Sequence, residues 1–166
     1  TGALALNGLR YRPHLVSALE DGYSGNKLDI PPEQAAEGGV SKKSNWLQTH
    51  ESLVSVVHGF RGTANRINRG LTYQIAGKTG TAQVYGIAQD EEYDEDTVIH
   101  KLTDHALFMS YAPAENPQIA VAVIVEHGGH GSSVAAPIAR KVLDAYLVDT
   151  DDSVVSSNTS GNGTQP

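Results

Sequence analysis

The sequence predicts an α/β chain of the α+β type, in which helices pack on an antiparallel sheet. Three strand candidates rich in apolar residues follow one another at residues 73–85, 105–112 and 118–126, and the turn PAENP joins the last two. Apolar residues at helical spacing occur before the first of these strands and after the last. Because strands joined by a short turn pair antiparallel, we expect a meander covered by helices.

The first third of the chain predicts short elements. Residues 1–6 are typical of the end of an apolar helix, closed by Asn7 and Gly8, which both tolerate the left-handed conformation of a cap. Residues 11–19, which include a proline, predict a short edge strand followed by a polar turn. Residues 27–45 contain two prolines and two glycines and predict an irregular surface segment.

Two longer helices flank the sheet. Apolar positions within residues 49–58 predict a helix that Gly59 and Gly62 end. The last helix is expected to begin after a cap at Ser132 or Ser133. Its apolar residues are predicted to share one face, which carries Val134, Ile138, Val142, Leu143 and Leu147.

Composition limits the function classes. The chain has 166 residues and a net charge of −7, which argues against a nucleic-acid partner. Six acidic residues lie within residues 90–96, where a solvated loop is a better interpretation than a metal or partner site. There is no cysteine, and no apolar run approaches the length of a membrane span. Because Thr1 is not an initiator methionine, we expect the chain to be a piece of a longer protein.

Domain organisation follows from the change in composition near residue 148. Residues 1–148 carry all the predicted helices and strands and form one domain. Residues 149–166 are polar and rich in Ser, Asn and Gly, so they predict a disordered tail.

The segment QIAGKTGTAQV, at residues 74–84, holds the candidate site. Lys78 offers an ammonium group, while Thr79 and Thr81 offer hydroxyls and backbone amides to an anionic or carbonyl-bearing partner. Gly80 removes a side chain where such a partner must approach the backbone closely. On the tripeptide KTG alone, a structural turn is an equally good interpretation.

The geometry of a strand restricts how a ligand can use this segment. Lys78 and Thr79 alternate faces, so one ligand reaches both only by lying along an exposed strand edge. An extended peptide there would form hydrogen bonds with the backbone around Ala82 and Gln83. Its terminal carboxylate would meet the hydroxyls of Thr79 and Thr81, and the Thr81 amide could face a developing oxyanion.

These motifs in combination resemble the class B penicillin-binding proteins. The matching segments are GTA at residues 62–64, KTGTAQV, DHALFMSYAPAENPQIAVAVIVEHGGHG and AAPIARKVLDAYL. The resemblance covers residues 1 to about 148 and points to the C-terminal part of the transpeptidase domain, within the serine transpeptidase and β-lactamase-like fold. It implies an elongation-specific enzyme in which a serine attacks a D-alanyl-D-alanine stem peptide and passes the acyl group to an amine.

The resemblance also implies residue roles and partners. Lys78 would interact with the serine of the family's SxN motif and help to place the substrate carboxylate, which Thr79 binds. Gly80 would leave room for the peptide, and the Thr81 amide would form half of the oxyanion hole. The implied partners are peptidoglycan stem peptides, β-lactams, and a glycosyltransferase and scaffold proteins of the elongation machinery. The implied location is the periplasmic face of the inner membrane, through an N-terminal anchor that this chain lacks.

The nucleophile motif SxxK and the SxN motif are not convincingly present. Ser24 to Lys27 spell SxxK, but in a polar turn rather than at the start of a buried helix. Ser156 to Asn158 spell SxN within the polar tail. We therefore expect this chain alone to be inactive. A D,D-carboxypeptidase, a β-lactam sensor and a non-catalytic peptide-binding module remain alternatives.

Histidines near the C-terminal end of the sheet suggest a metal site that we do not favour. His127 and His130 are separated by two glycines, and His100 and His105 are close in sequence. A tight exposed turn explains HGGHG better, so no metal and no cofactor is expected.

The resemblance further implies a five-stranded sheet with at least one strand from sequence that precedes this chain. Without that strand, the chain alone would expose apolar surface and an unpaired sheet edge, which predicts marginal stability or aggregation.

Overall fold

The computed structural model describes residues 1–35, 42–84 and 103–148. The acidic run and the tail therefore lie outside the described residues. The elements, in chain order, are α1 (Gly2–Ala5), β1 (Ala18–Glu20), β2 (Lys27–Asp29), α2 (Lys43–His58), a 3-10 turn (Asn65–Asn68), β3 (Ala76–Ala82), β4 (His105–Ala112), β5 (Ile119–Val125) and α3 (Ala135–Leu147). The predicted α/β class, with helices on an antiparallel sheet, is confirmed.

A three-stranded sheet in the order β3–β4–β5 forms the centre of the molecule. Both pairings are antiparallel, so the predicted meander and the hairpin at PAENP are confirmed. The bounds of β4 match the prediction, whereas β3 begins at Ala76 instead of residue 73. Because β4 is central, β3 lies at one edge of the sheet.

Apolar clusters cover both faces of the sheet. On one face, α3 packs against β4 and β5 around Phe108, which is 1 % exposed. On the other face, Leu53 of α2 packs against Ala76 and Tyr111. Directly opposed residues of an antiparallel pair share a face, so these clusters fix which way each side chain of β3 points.

The apolar face predicted for α3 is wrong in part. The fully buried residues of this helix are Ala135, Ala136, Ala139 and Leu143. Ile138 and Val142 are instead 41 % and 44 % exposed. Small side chains let a helix approach a sheet closely, so the alanine stripe takes the contact and the larger residues lie beside it.

The capping prediction for α3 is also wrong. The residue before the helix is Val134, and no side chain caps the helix. The hydroxyl of Ser133 donates to the carbonyl of His130 instead, at 3.2 Å.

The N-terminal region differs most from the prediction. Tyr11 forms only an isolated bridge with Gln34, and the strand is β1, which pairs with β2. The Asp21 carboxylate accepts hydrogen bonds from two amides of the turn between them, and this lowers its pKa. β2 and the first turn of α2 lie in the segment predicted to be irregular. In this region, the predicted polar turn therefore located the strands better than the apolar residues did.

The predicted helix ends are confirmed. Asn7 and Gly8 have φ values of 52° and 99° after α1, as expected for left-handed caps. α2 ends before Gly59, although it begins at Lys43, six residues earlier than predicted. Among the described residues, no helix combines the length and apolarity that crossing a membrane requires.

Candidate functional site

The predicted site residues occupy β3 and the position after it. Lys78, Thr79, Gly80, Thr81 and Ala82 lie within the strand, and the exposed Gln83 follows it. Within β3, burial falls from buried at Ala76 to exposed at Ala82. The strand thus enters from the core and presents its second half to solvent.

The two threonines and the lysine point to opposite faces of the sheet. Thr79 and Thr81 are opposite Phe108 and Ala106, so they share the face that α3 covers. Lys78 is opposite Met109, on the face that α2 covers. The alternation expected from the sequence is therefore present, and only the strand edge gives one ligand access to all three side chains.

The outer edge of β3 has no partner strand among the described residues. The Lys78 Nζ donates to the Thr79 carbonyl at 2.6 Å, which indicates that this carbonyl faces outward rather than toward β4. Backbone direction alternates along a strand, so the Thr81 amide also faces outward. By the same alternation, the Ala82 backbone faces β4 and that of Gln83 faces outward. We call residues 79–83 along this side the docking edge.

A groove of about 390 Å³ lies beside Lys78. Its lining includes Ser52 and Ser55 of α2 and the segment that follows this helix, with Arg61 and Thr63. The two serine hydroxyls donate to helix carbonyls at 2.7 and 2.9 Å, so their protons are used within α2. Lys78 and Arg61 therefore supply the cationic character of the groove, which suits an anionic group.

Thr63 is the site residue that sequence reasoning missed. Its Oγ1 lies 3.0 Å from the Oγ1 of Thr79, within hydrogen-bond distance. The sequence GTA at residues 62–64 entered the family resemblance only as context. The sixteen-residue separation from Thr79 follows no helical or strand periodicity, so only the tertiary structure brings the two hydroxyls together.

Hydrogen bonds hold the segment that carries Thr63. The Asn65 side chain donates to the carbonyls of Val57 and Gly59, and the Ala64 amide donates to Val56. A β-carbon on Gly62 would meet the Val56 carbonyl, so a larger residue would push the segment away from α2. This anchoring fixes the distance between the segment and β3.

His58 connects the end of α2 to the start of β3. Its Nε2 accepts a hydrogen bond from the Ile75 amide at 3.0 Å. Burial lowers the pKa of His58 below its usual value of 6.5, against smaller opposing effects from Asn68 and Glu115. The neutral imidazole is the form that can accept this bond.

The structure separates the SxxK-like sequence from the site. Ser24 lies in the exposed turn between β1 and β2, where its amide donates to Asp21. Lys27 forms an exposed ion pair with Asp29 at 3.7 Å. Neither residue lies at the start of a buried helix. The SxN-like sequence at residues 156–158 lies outside the described residues.

His105 and His127 contact each other, and His127 also contacts the segment before β4. The His127 amide donates to the His105 Nδ1 at 2.9 Å, and the two rings meet edge to face at 4.9 Å. The His127 Nδ1 lies 3.1 Å from the Thr103 carbonyl. No group of three or more His, Asp or Glu side chains suited to a metal occurs in the ranges that the structure describes, and His100 lies outside them.

Comparison with known proteins identifies the domain. The family model described as the penicillin binding protein transpeptidase domain matches residues 1–144. A curated relative, the peptidoglycan D,D-transpeptidase MrdA of Haemophilus influenzae, is 38% identical over 147 residues. That match covers 89% of this chain and 22% of the relative, so the chain spans about a fifth of the relative's length.

Two solved structures share the fold. Pseudomonas aeruginosa PBP2, in complex with WCK 5153, is 38% identical with a TM-score of 0.67, over 89% of this chain and 28% of that one. Penicillin-binding protein A from M. tuberculosis, a ceftriaxone acyl-enzyme complex, is 30% identical with a TM-score of 0.67, over 87% of this chain and 30% of that one.

Proposed function

This chain belongs to the penicillin-binding protein transpeptidase domain family, and from that membership we propose that its parent protein is a peptidoglycan D,D-transpeptidase. The parent would crosslink stem peptides through a serine acyl-enzyme and would be acylated by β-lactams. The single observation that carries the proposal is the docking edge of β3, which presents outward backbone groups beside Thr79, Thr81 and a cationic groove.

The docking edge suits a peptide that ends in a carboxylate. The peptide backbone would pair with the outward groups of Thr79, Thr81 and Gln83, as an added strand does. The small side chain of Ala82 would leave room for the bound peptide beside the strand. Gly80, paired with Leu107, would let the peptide approach without a side chain in the way.

The carboxylate of the terminal D-alanine would be held by hydroxyl groups and cations. The hydroxyls of Thr79 and Thr81 would donate to it, and Thr63 would orient the Thr79 hydroxyl from 3.0 Å. Lys78 and Arg61 would add favourable charge from the groove. Lys78 would release its 2.6 Å contact with the Thr79 carbonyl to interact with the serine of the SxN motif.

The outward amide of Thr81 would serve the chemical step. When a serine attacks the penultimate D-alanine carbonyl, the carbonyl oxygen gains negative charge in the tetrahedral intermediate. The Thr81 amide would donate to that oxygen and form half of the oxyanion hole, with the amide of the nucleophile as the other half. D-alanine then leaves, and an amine on a neighbouring peptidoglycan strand takes the acyl group.

The parent protein would act at the periplasmic face of the inner membrane, held there by an N-terminal anchor. A glycosyltransferase and scaffold proteins of the elongation machinery would be its partners. The 38% identity to MrdA over 89% of this chain supports this part of the proposal.

Labelling with a fluorescent penicillin tests the proposal. The complete gene product should be labelled covalently at one serine, and Thr79→Val should slow labelling roughly tenfold or more by removing a carboxylate donor. Thr72→Val is the matched control, since Thr72 is exposed and lies before β3. Absence of labelling in the unaltered protein would refute the proposal.

The 166-residue chain alone is expected to stay unlabelled, because the nucleophile and its base would lie outside it. Covalent attachment at Ser24 would overturn that expectation. Product analysis with an amine acceptor separates a transpeptidase, which forms crosslinked peptide, from a D,D-carboxypeptidase, which only releases D-alanine. A β-lactam sensor or a non-catalytic module would form neither product.

A further inference from the structure

The turn after β5 contains a glycine that its backbone conformation does not explain. In the HGGHG segment, His127 and Gly129 have φ values of 53° and 72°, and Gly129 is the glycine that needs the left-handed region. Gly131 is not in that region. The tight turn predicted from the sequence therefore explains why residue 129 is a glycine, but it does not explain why residue 131 is one.

Gly131 is explained by the space around it. It is buried, and it lies against the main chain of β3 and of β4. A β-carbon at this position would meet the carbonyl of Leu107, and it would lie 2.5 Å from the Gly80 carbonyl oxygen and 3.1 Å from the Gly80 nitrogen. All three contacts are with backbone atoms, which cannot swing aside as a side chain does.

The turn is held where it is from the β4 side. The Gly129 amide donates to the Asp104 carbonyl at 2.8 Å, and the His127 amide donates to His105 at 2.9 Å. The Asp104 carboxylate also accepts from the Val84 amide at 3.3 Å, beyond the end of β3.

The turn is also held from the α3 side. The Gly131 carbonyl accepts from the Ala136 amide at 2.9 Å, and the His130 carbonyl accepts from the Val134 amide at 3.1 Å. Ala136 itself is fully buried in the main core. Gly131 is thus fixed between β4 and α3, whereas β3 pairs with β4 alone among the described strands. Added bulk at Gly131 would displace the main chain at Gly80.

From these contacts we infer that Gly131 is a positioning residue for the reaction, because it sets the position of the β3 main chain at Gly80. The amide of Thr81 comes next in the chain, so a shift at Gly80 moves the donor to the oxyanion. The inference rests on the proposed function for its catalytic consequence, while its geometric part does not depend on activity.

The test compares three glycine-to-alanine variants of the complete gene product. Gly131→Ala should lower the second-order rate constant of penicillin acylation by about tenfold to about a hundredfold, since small displacements of catalytic groups have effects of this size. Gly128→Ala would meet Val125 atoms at 2.9 to 3.1 Å and disturb the same turn without reaching β3. Gly22→Ala meets nothing within 4 Å. Both controls should stay within about twofold of the unaltered protein.

The acylation rate constant does not depend on the fraction of protein that is folded. The final amount of labelled protein reports that fraction separately. Equal slowing in Gly131→Ala and Gly128→Ala, an unchanged rate in Gly131→Ala, or failure of Gly131→Ala to fold would each overturn the positioning role. Hydrogen exchange of the peptide covering residues 76–84 should increase in Gly131→Ala alone. If the unaltered protein is not labelled, the proposed function fails, and this exchange result still decides the geometric part.

Discussion

Replacing Asp144 by asparagine should destabilise the domain, because this carboxylate joins α3 to the segment that leads into β3. Asp144 accepts hydrogen bonds from the Tyr73 hydroxyl at 2.6 Å and from the Arg140 Nε at 2.6 and 2.7 Å. Arg140 also donates to the carbonyls of Ile67 and Arg69. The Asp144→Asn variant keeps the shape and removes the charge.

The expected loss follows from the burial of the pair. Hydrogen bonds to charged groups contribute about 1.5–3 kcal/mol each when buried. The side chains of Arg140 and Asp144 are 19% and 35% exposed, so screening reduces that contribution. We expect the free energy of unfolding to fall by about 2 kcal/mol, and the Tm of the domain to fall by a few degrees.

Scanning calorimetry of the complete gene product measures this shift. Asp29→Asn is the matched control, because Lys27 and Asp29 form an ion pair at 3.7 Å with side chains that are 65% and 82% exposed, respectively. Exposed pairs of this kind contribute less than about 1 kcal/mol. A Tm loss in Asp144→Asn no larger than in Asp29→Asn would refute the reasoning.

Three further predictions concern pH, the hydroxyl pair and the isolated chain. The folded-state pKa of His58 lies below 6.5, so its contribution to stability is present above that pH and is lost as the pH falls; the Tm should therefore decline as the pH falls below 6.5, and the Tm of His58→Gln should decline less in calorimetry. Thr63→Val should slow penicillin acylation about fivefold and Thr63→Ser should restore it, whereas equal rates in all three proteins would exclude a role for the 3.0 Å contact with Thr79. The 166-residue chain expressed alone should aggregate, because Val142 and Tyr146 are 44% and 47% exposed and line a surface groove with Ile119 of the edge strand β5; a monomer with one sharp thermal transition would contradict this.

Local signals in the sequence were sufficient for the parts of the fold that local physics determines. Asn7 and Gly8 marked a helix end, and the apolar residues of β4, bounded by a polar segment and by PAENP, gave its limits. The candidate site was predicted in the same way, because five of its six residues lie in one strand and the sixth, Gln83, follows it directly.

The remaining features depend on contacts between distant segments. The exposed face of Ile138 and Val142 could not be predicted from helical periodicity, because the five larger apolar residues of the predicted face competed with a stripe of alanines. Thr63 meets Thr79, and Gly131 meets Gly80, only after the segments fold together. Sequence patterns identify a residue's chemistry, whereas its neighbours decide whether that chemistry reaches the site.

A crystal structure of the complete gene product acylated by a penicillin tests the docking edge most directly. We expect the penicillin carboxylate within hydrogen-bond distance of the Thr79 and Thr81 hydroxyls, and the acyl carbonyl oxygen facing the Thr81 amide. An acylated serine remote from β3, or a penicillin carboxylate that contacts neither threonine, would contradict the account.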